Sequence, residues 1–158
     1  MSQRQAIRMN DHDVEPYLRS CARARIATLD RHGTPHVVPI EYVVYDGSVT
    51  FWADPGSQKV VNLRRDPRIS AVVDDGTDFA DLRGVQIVGD AVIRDDPDTV
   101  AGVLELFADK VPEEWREIAR PHLVALAAER VVVTIAPSKV TSWDHSKVPG
   151  LRPQDIGR

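Results

Sequence analysis

The run over residues 36–45, His-Val-Val-Pro-Ile-Glu-Tyr-Val-Val-Tyr, constrains the fold more than any other part of the chain. Its β-branched and aromatic content makes it a strand. Side chains of a strand alternate between two faces, and here both faces are apolar. Val37, Val43 and Tyr45 point one way, and Val38, Ile40, Tyr42 and Val44 point the other. A sheet with one wet face shows polar alternation instead. The strand is therefore covered twice, by a barrel interior and by another element or subunit. Pro39 interrupts it, and since proline brings no ladder donor, a bulge or an unpaired edge is expected there.

Its neighbours are read the same way. Residues 23–29 alternate as a strand, and the tight Asp30-Arg-His-Gly-Thr connection uses Gly33 for its positive φ. Asp46-Gly47 is a two-residue hairpin signal leading into residues 48–53. Short turns make these three strands an antiparallel meander. Further strands are expected over residues 68–73, 84–93 and from 130 toward 143. Asp13 can cap a short helix whose Val14, Tyr17 and Leu18 form one stripe. Asp96-Pro97-Asp98 opens another, with Val100, Val103, Leu104 and Phe107 on one face. Residues 113–129 are helical, divided or restarted at Pro121. Six mostly antiparallel strands, with helices between the third and fourth and between the fifth and sixth, close most economically into a barrel. The expected class is mainly β with inserted helices.

At 158 residues, without repeats or linkers, the chain reads as one domain over 13–145. A flexible start (1–12) and an irregular Pro- and Gly-containing tail (146–158) flank it. Net charge of −4 argues against a nucleic-acid partner, whose affinity comes mainly from phosphate neutralisation. Cys21 is the single cysteine, which leaves no internal disulfide and fits a reducing cytoplasm. No apolar run is long enough to span a membrane, and no signal-like apolar core follows Met1. His12, His32, His36, His122 and His145 are scattered, so no metal centre is expected. There is no G-x-S-x-G elbow and no G-x-G-x-x-G fingerprint.

The chemistry-bearing stretch is residues 51–67. A strand ending at Phe51-Trp52-Ala53 meets an Asp-Pro-Gly-Ser turn, then a short helix with Lys59 in its first turn, stopped before Pro67. Open N–H groups at a helix start plus an ammonium form a site for a phosphate or another anion. Ser57 and Gln58 can donate to the same anion, and Asn62 lies one turn on from Gln58. A lysine on a surface helix is equally compatible with plain solvation.

Three segments taken together resemble the pyridoxamine 5′-phosphate oxidase-like superfamily, the flavin-binding split β-barrel. They are Thr28-Leu-Asp-Arg-His-Gly-Thr-Pro-His-Val-Val-Pro-Ile, Val49-Thr-Phe-Trp-Ala and Lys59-Val-Val-Asn-Leu-Arg-Arg-Asp-Pro-Arg-Ile-Ser. The closing Val131-Val-Val-Thr-Ile-Ala-Pro-Ser-Lys-Val-Thr-Ser-Trp-Asp-His is similar to that of its deazaflavin (coenzyme F-420) oxidoreductases. Leu82-Arg-Gly-Val-Gln-Ile-Val-Gly-Asp-Ala resembles the strand that reaches the cofactor across a dimer. The resemblance implies a six-stranded antiparallel split barrel and a homodimer with cofactor sites at its interface. Lys59 would hold the cofactor phosphate with Ser57, Gln58 and Asn62. Val38, Pro39 and Ile40 together with Phe51, Trp52 and Ala53 would flank the ring, and Arg83 and Gln86 would reach it from nearby or from the partner. The implied reaction is hydride transfer to or from a small unsaturated or planar substrate, with coenzyme F-420 or alternatively FMN. A non-catalytic flavin, deazaflavin or haem binder is the remaining alternative. Tyr42, Trp143 and His145 are candidates for the substrate face, and no acid or base is assigned. Some deazaflavin-binding relatives carry an arginine where Ser57 stands, so this chain has one cation fewer at that point.

Overall fold

The computed structural model describes residues 3–148. Seven strands form one antiparallel sheet: β1 (Arg23–Leu29), β2 (Pro35–Glu41), β3 (Val43–Tyr45), β4 (Ser48–Ala53), β5 (Arg68–Asp75), β6 (Arg83–Arg94) and β7 (Val131–Asp144). Helices α1 (Gln3–Ala6) and α2 (Asp11–Ser20) precede it, α3 (Gln58–Arg65) joins β4 to β5, and α4 (Pro97–Asp109) and α5 (Glu113–Ala128) join β6 to β7.

The seventh strand arises because residues 36–45 divide at Tyr42. The expected break at Pro39 does not occur: Pro39 stays in register opposite Arg25, on a strand at the edge of the sheet. An edge position tolerates the missing donor. The Tyr42 carbonyl turns out of the ladder to accept from Lys110 Nζ on the far end of α4, and the Tyr42 hydroxyl donates to the Leu18 carbonyl. The simple meander is corrected accordingly. In the order β2-β1-β5-β6-β7-β4-β3 the two halves of one run lie at opposite edges. A sheet whose edges are joined by one residue has to curl, which is the split barrel.

Its interior is filled by Ile26, Phe51, Val60, Val73, Val85, Val133 and Ile135, all essentially inaccessible. A smaller core of Val43, Val103 and Val132 lies outside the barrel, where α4 covers β3, β4 and β7. Double coverage of the 36–45 run is thus met by α4 for Val43 and Tyr45. On the β2 half, Val37 remains 61% exposed.

Three local expectations change. Residues 7–9 are placed rather than loose: Met9 is buried, and the Ile7 carbonyl accepts from the Asp144 N–H. Helix α2 begins at Asp11, with Asn10 at the cap position. Pro121 lies inside an unbroken α5. The tail is a short 3₁₀ turn at His145–Lys147, and residues 149–158 lie outside the described residues. No helix among the described residues is long and apolar enough to cross a membrane.

Candidate functional site

Ala53 at the end of β4 pairs with Val131 at the start of β7. That register sets the next residue on one strand, Asp54, beside the preceding residue on the other, Arg130, with a carboxylate–guanidinium separation of 4.0 Å. Asp54 then shapes the turn. Its Oδ1 accepts from the Gly56 N–H at 2.7 Å, and its carbonyl accepts from the Ser57 N–H at 3.0 Å and the Ser57 hydroxyl at 2.7 Å. With its hydroxyl engaged there, Ser57 gives α3 no side-chain cap. The N–H groups opening α3 therefore stay available to an anion.

A cavity of about 290 Å³ adjoins this helix start. Lys59 and Arg130 line its polar end, Pro39, Ile40 and Glu41 of β2 one side, and Trp52 its floor. Phe107 of α4 with Leu123 and Leu126 of α5 complete the apolar wall. Trp52 reaches the cavity because strand alternation sends Phe51 and Ala53 into the barrel and Trp52 outward. Its ring packs on Phe107 at 4.5 Å between centroids and 33° between planes. Its Nε1 is buried without an acceptor. Lys59, half-buried, makes neither hydrogen bond nor ion pair among the described residues. A flat apolar wall, an unpaired donor and two cations without hydrogen bonds fit a fused ring carrying an anionic group.

Of the residues expected at the site, Pro39, Ile40, Trp52 and Lys59 come together, with Ser57 and Gln58 at the adjoining helix start. Val38 packs toward the barrel interior with Phe51 and Ala53. Asn62 is fully buried: its amide nitrogen donates to Thr28 Oγ1 at 3.0 Å, and its oxygen accepts from Gln58 Nε2 at 2.8 Å. It anchors α3 to β1 and presents no group to a ligand. Tyr42 is likewise inaccessible, its hydroxyl shifted far above the usual phenol range by burial.

The other four lie elsewhere in this chain's own fold. Arg83 forms an ion pair with Asp75 at 2.8 Å and sits over the Tyr17 ring. Gln86 is exposed on the outer face of β6, opposite Val72. Trp143 packs its ring against Gly84, where any Cβ would overlap it. His145 Nδ1 lies 2.9 Å from the Phe79 carbonyl. Arg130 and Trp143 mark the two ends of β7, roughly 40 Å apart along the strand contour. The substrate face proposed for Trp143 and His145 therefore does not coincide with the Lys59 cavity within one chain.

Sequence reasoning missed Arg130, Glu41, Leu123, Leu126 and the cavity role of Phe107. The available signal for Arg130 was its place directly before the last strand, since the residues flanking paired strand ends are forced together.

A family model described as pyridoxamine 5′-phosphate oxidase matches residues 11–144. A 5a,11a-dehydrotetracycline/5a,11a-dehydrooxytetracycline reductase of Streptomyces rimosus subsp. rimosus is 30% identical over 147 residues, covering 89% of this chain and 88% of the relative. The crystal structure of the conserved hypothetical protein Rv2991 from Mycobacterium tuberculosis superposes with TM-score 0.82 at 32% identity, covering 96% of each chain. A solved F420 reductase shares the fold at TM-score 0.60 and 20% identity, over 81% of this chain and 95% of its own.

Proposed function

Because the chain belongs to the pyridoxamine 5′-phosphate oxidase family, we propose that it is an oxidoreductase dependent on the deazaflavin coenzyme F-420. It transfers a hydride between that cofactor and a small unsaturated or planar substrate. The observation that carries this reading is the meeting, in one cavity, of two cations without hydrogen bonds, Lys59 and Arg130, with the Trp52–Phe107 wall. The name of the Streptomyces rimosus relative, a reductase of dehydro compounds, supports the substrate class. The F420 reductase fold supports the cofactor class.

Lys59 and the open N–H groups of α3 would hold the phosphate, with Trp52, Pro39 and Ile40 against the ring. The bound cofactor supplies two-electron hydride chemistry. The chain's own part is orientation and exclusion of water. Phe107, Leu123 and Leu126 present no polar atom to the cavity, so α4 and α5 keep one wall dry. The second reading is an FMN-dependent enzyme on the same site, since Ser57 stands where some deazaflavin-binding relatives carry an arginine and one cation that would mark the deazaflavin is absent.

A homodimer belongs to the proposal. Ladder pairing lines up Val37, Ala27, Ser70 and Val88 across the outer face of β2, β1, β5 and β6. Val37 and Val88 are 61% and 39% exposed there. A second copy over this face supplies the missing cover of β2 and places Gln86 at the interface.

Fluorescence titration of the purified protein with coenzyme F-420 and FMN is the test. Micromolar or tighter binding is expected, with Lys59→Ala weakening it by ~1.5–3 kcal/mol, the value of a charge-assisted contact. Turnover of an enone and quinone panel with reduced deazaflavin then separates an enzyme from a carrier. Binding of neither cofactor refutes both readings.

A further inference from the structure

Residues directly opposite each other in an antiparallel pair bring their Cβ atoms to about 4.5–5.5 Å, close enough for opposite charges to meet. Glu41, the last residue of β2, stands opposite Arg23 of β1 in this way. The two form no ion pair. Arg23 instead lines a separate cavity of about 440 Å³, and Glu41 lines the one that holds Lys59. Among the described residues the Glu41 carboxylate has neither a hydrogen bond nor an ion pair. Its backbone is held from two sides, by the ladder to Arg23 and, at the next residue, by Lys110 Nζ donating to the Tyr42 carbonyl. Burial lowers the pKa of the Lys110 ammonium and the Glu41 charge works against that shift, which places the carboxylate within electrostatic reach of α4. A carboxylate on a fixed backbone with no partner of its own stays available to a ligand.

Only Glu41, Lys59 and Arg130 ionise among the residues lining the cavity. Arginine does not give up its proton in a protein, and Lys59 is committed to the phosphate in the functional reading above. We propose that Glu41 is the acid–base residue of the reaction, exchanging a proton with the substrate carbon α to a carbonyl while hydride is exchanged at the β carbon. The inference rests on the proposed function, in which hydride passes between the bound cofactor and an unsaturated substrate. For an enone, the hydride forms the Cβ–H bond with its own electron pair. The Cα=Cβ π pair moves toward the carbonyl, and Cα is protonated as the Glu41 O–H bond breaks and the Cα–H bond forms. Water restores the carboxyl proton and takes up the second hydrogen released from the reduced cofactor, which closes the balance. In the opposite direction the carboxylate removes the Cα proton as hydride leaves Cβ.

Two variants test it: Glu41→Gln removes the exchangeable carboxyl proton at nearly constant shape, and Glu41→Asp keeps it on a shorter arm. The probes are the enones of the panel, 2-cyclohexen-1-one first, each with its saturated ketone. Exchange of the ketone Cα–H for deuterium in D2O is followed by NMR with the cofactor bound in its oxidised form, so that the proton step is read without net turnover. Wild type should exchange the ketone faster than buffer, Glu41→Gln should lose about 10²-fold, and Glu41→Asp should recover part of that loss. In turnover, kcat should fall by a similar factor in Glu41→Gln, while KM and the cofactor dissociation constant stay within about threefold. Equal exchange and equal kcat in Glu41→Gln and wild type overturn the inference. So does a wild type that exchanges no faster than buffer, or exchange lost in Lys59→Ala and kept in Glu41→Gln. Turnover confined to quinones also overturns it, since no Cα–H bond then forms, and cofactor binding weakened as much as the rate would make Glu41 a binding group instead. If neither cofactor binds, or no member of the panel is turned over, the functional reading itself fails.

Discussion

Asn62 separates a ligand contact from a positioning residue, and the two roles have different thermodynamic signatures. Its amide nitrogen donates to Thr28 Oγ1 at 3.0 Å, and both residues are buried. Its oxygen accepts from Gln58 at 2.8 Å and from Arg65 at 3.4 Å. Asn62→Ala removes one buried side-chain hydrogen bond, about 1 kcal/mol net, and strands the Thr28 hydroxyl in the barrel at about 1–3 kcal/mol more. The expected destabilisation is therefore ~2–4 kcal/mol, a large share of the roughly 5–15 kcal/mol that holds a domain together. Adding Thr28→Val removes the stranded hydroxyl, so the double variant should recover about 1–2 kcal/mol relative to the sum of the single changes. Urea unfolding followed by tryptophan fluorescence and far-UV circular dichroism measures all four corners of the cycle. A loss below about 0.5 kcal/mol, or strict additivity, would refute the anchoring role. Weakened cofactor binding at unchanged stability would return Asn62 to the ligand shell that the sequence suggested.

Two further outcomes follow from other contacts. Asp66, at the C-terminal end of α3, is held down to about 2 by hydrogen bonds from Arg68. Since its folded value lies below the unfolded one of about 3.9, its contribution to stability is complete above pH 4 and disappears as the pH falls toward 2. Asp66→Asn should therefore be less stable than wild type at pH 7 and converge with it near pH 2 in urea melts. Equal stability at pH 7 would show that the pair contributes nothing. Lys110→Met keeps the stem against the Tyr42 ring but leaves the Tyr42 carbonyl without its donor. A loss of ~1.5–3 kcal/mol is expected in the same assay, and none would mean that the strand break stands without α4.

What the sequence made legible was local. Asp46-Gly47 predicts a primed hairpin turn, and the structure places both residues at positive φ, 49° and 71°. Asp96-Pro97 predicts a helix start, and the Asp96 carboxylate accepts from the Thr99 N–H at 2.9 Å. Strand patterning located the strand-forming segments but read β2 and β3 as one run, and the cover expected on both faces of residues 36–45 is met by α4 only for Val43 and Tyr45. It could not locate the break at Tyr42, because the groups that settle it come from elsewhere: the Leu18 carbonyl and Lys110, 68 residues away in the chain.

The same limit explains the cavity. Periodicity along α4 marks Val103 and Phe107 as one apolar stripe, and both do face the barrel. Val103 meets Val43 and Val132 and closes a core, whereas Phe107 packs on the Trp52 ring and, with Leu123 and Leu126, leaves a gap. Apolar spacing thus reports which side of a helix turns inward. It does not report whether the facing surface arrives to fill the space. That depends on where β4 ends and β7 begins: at this one junction Asp54 is set beside Arg130, which lines the same opening as Lys59.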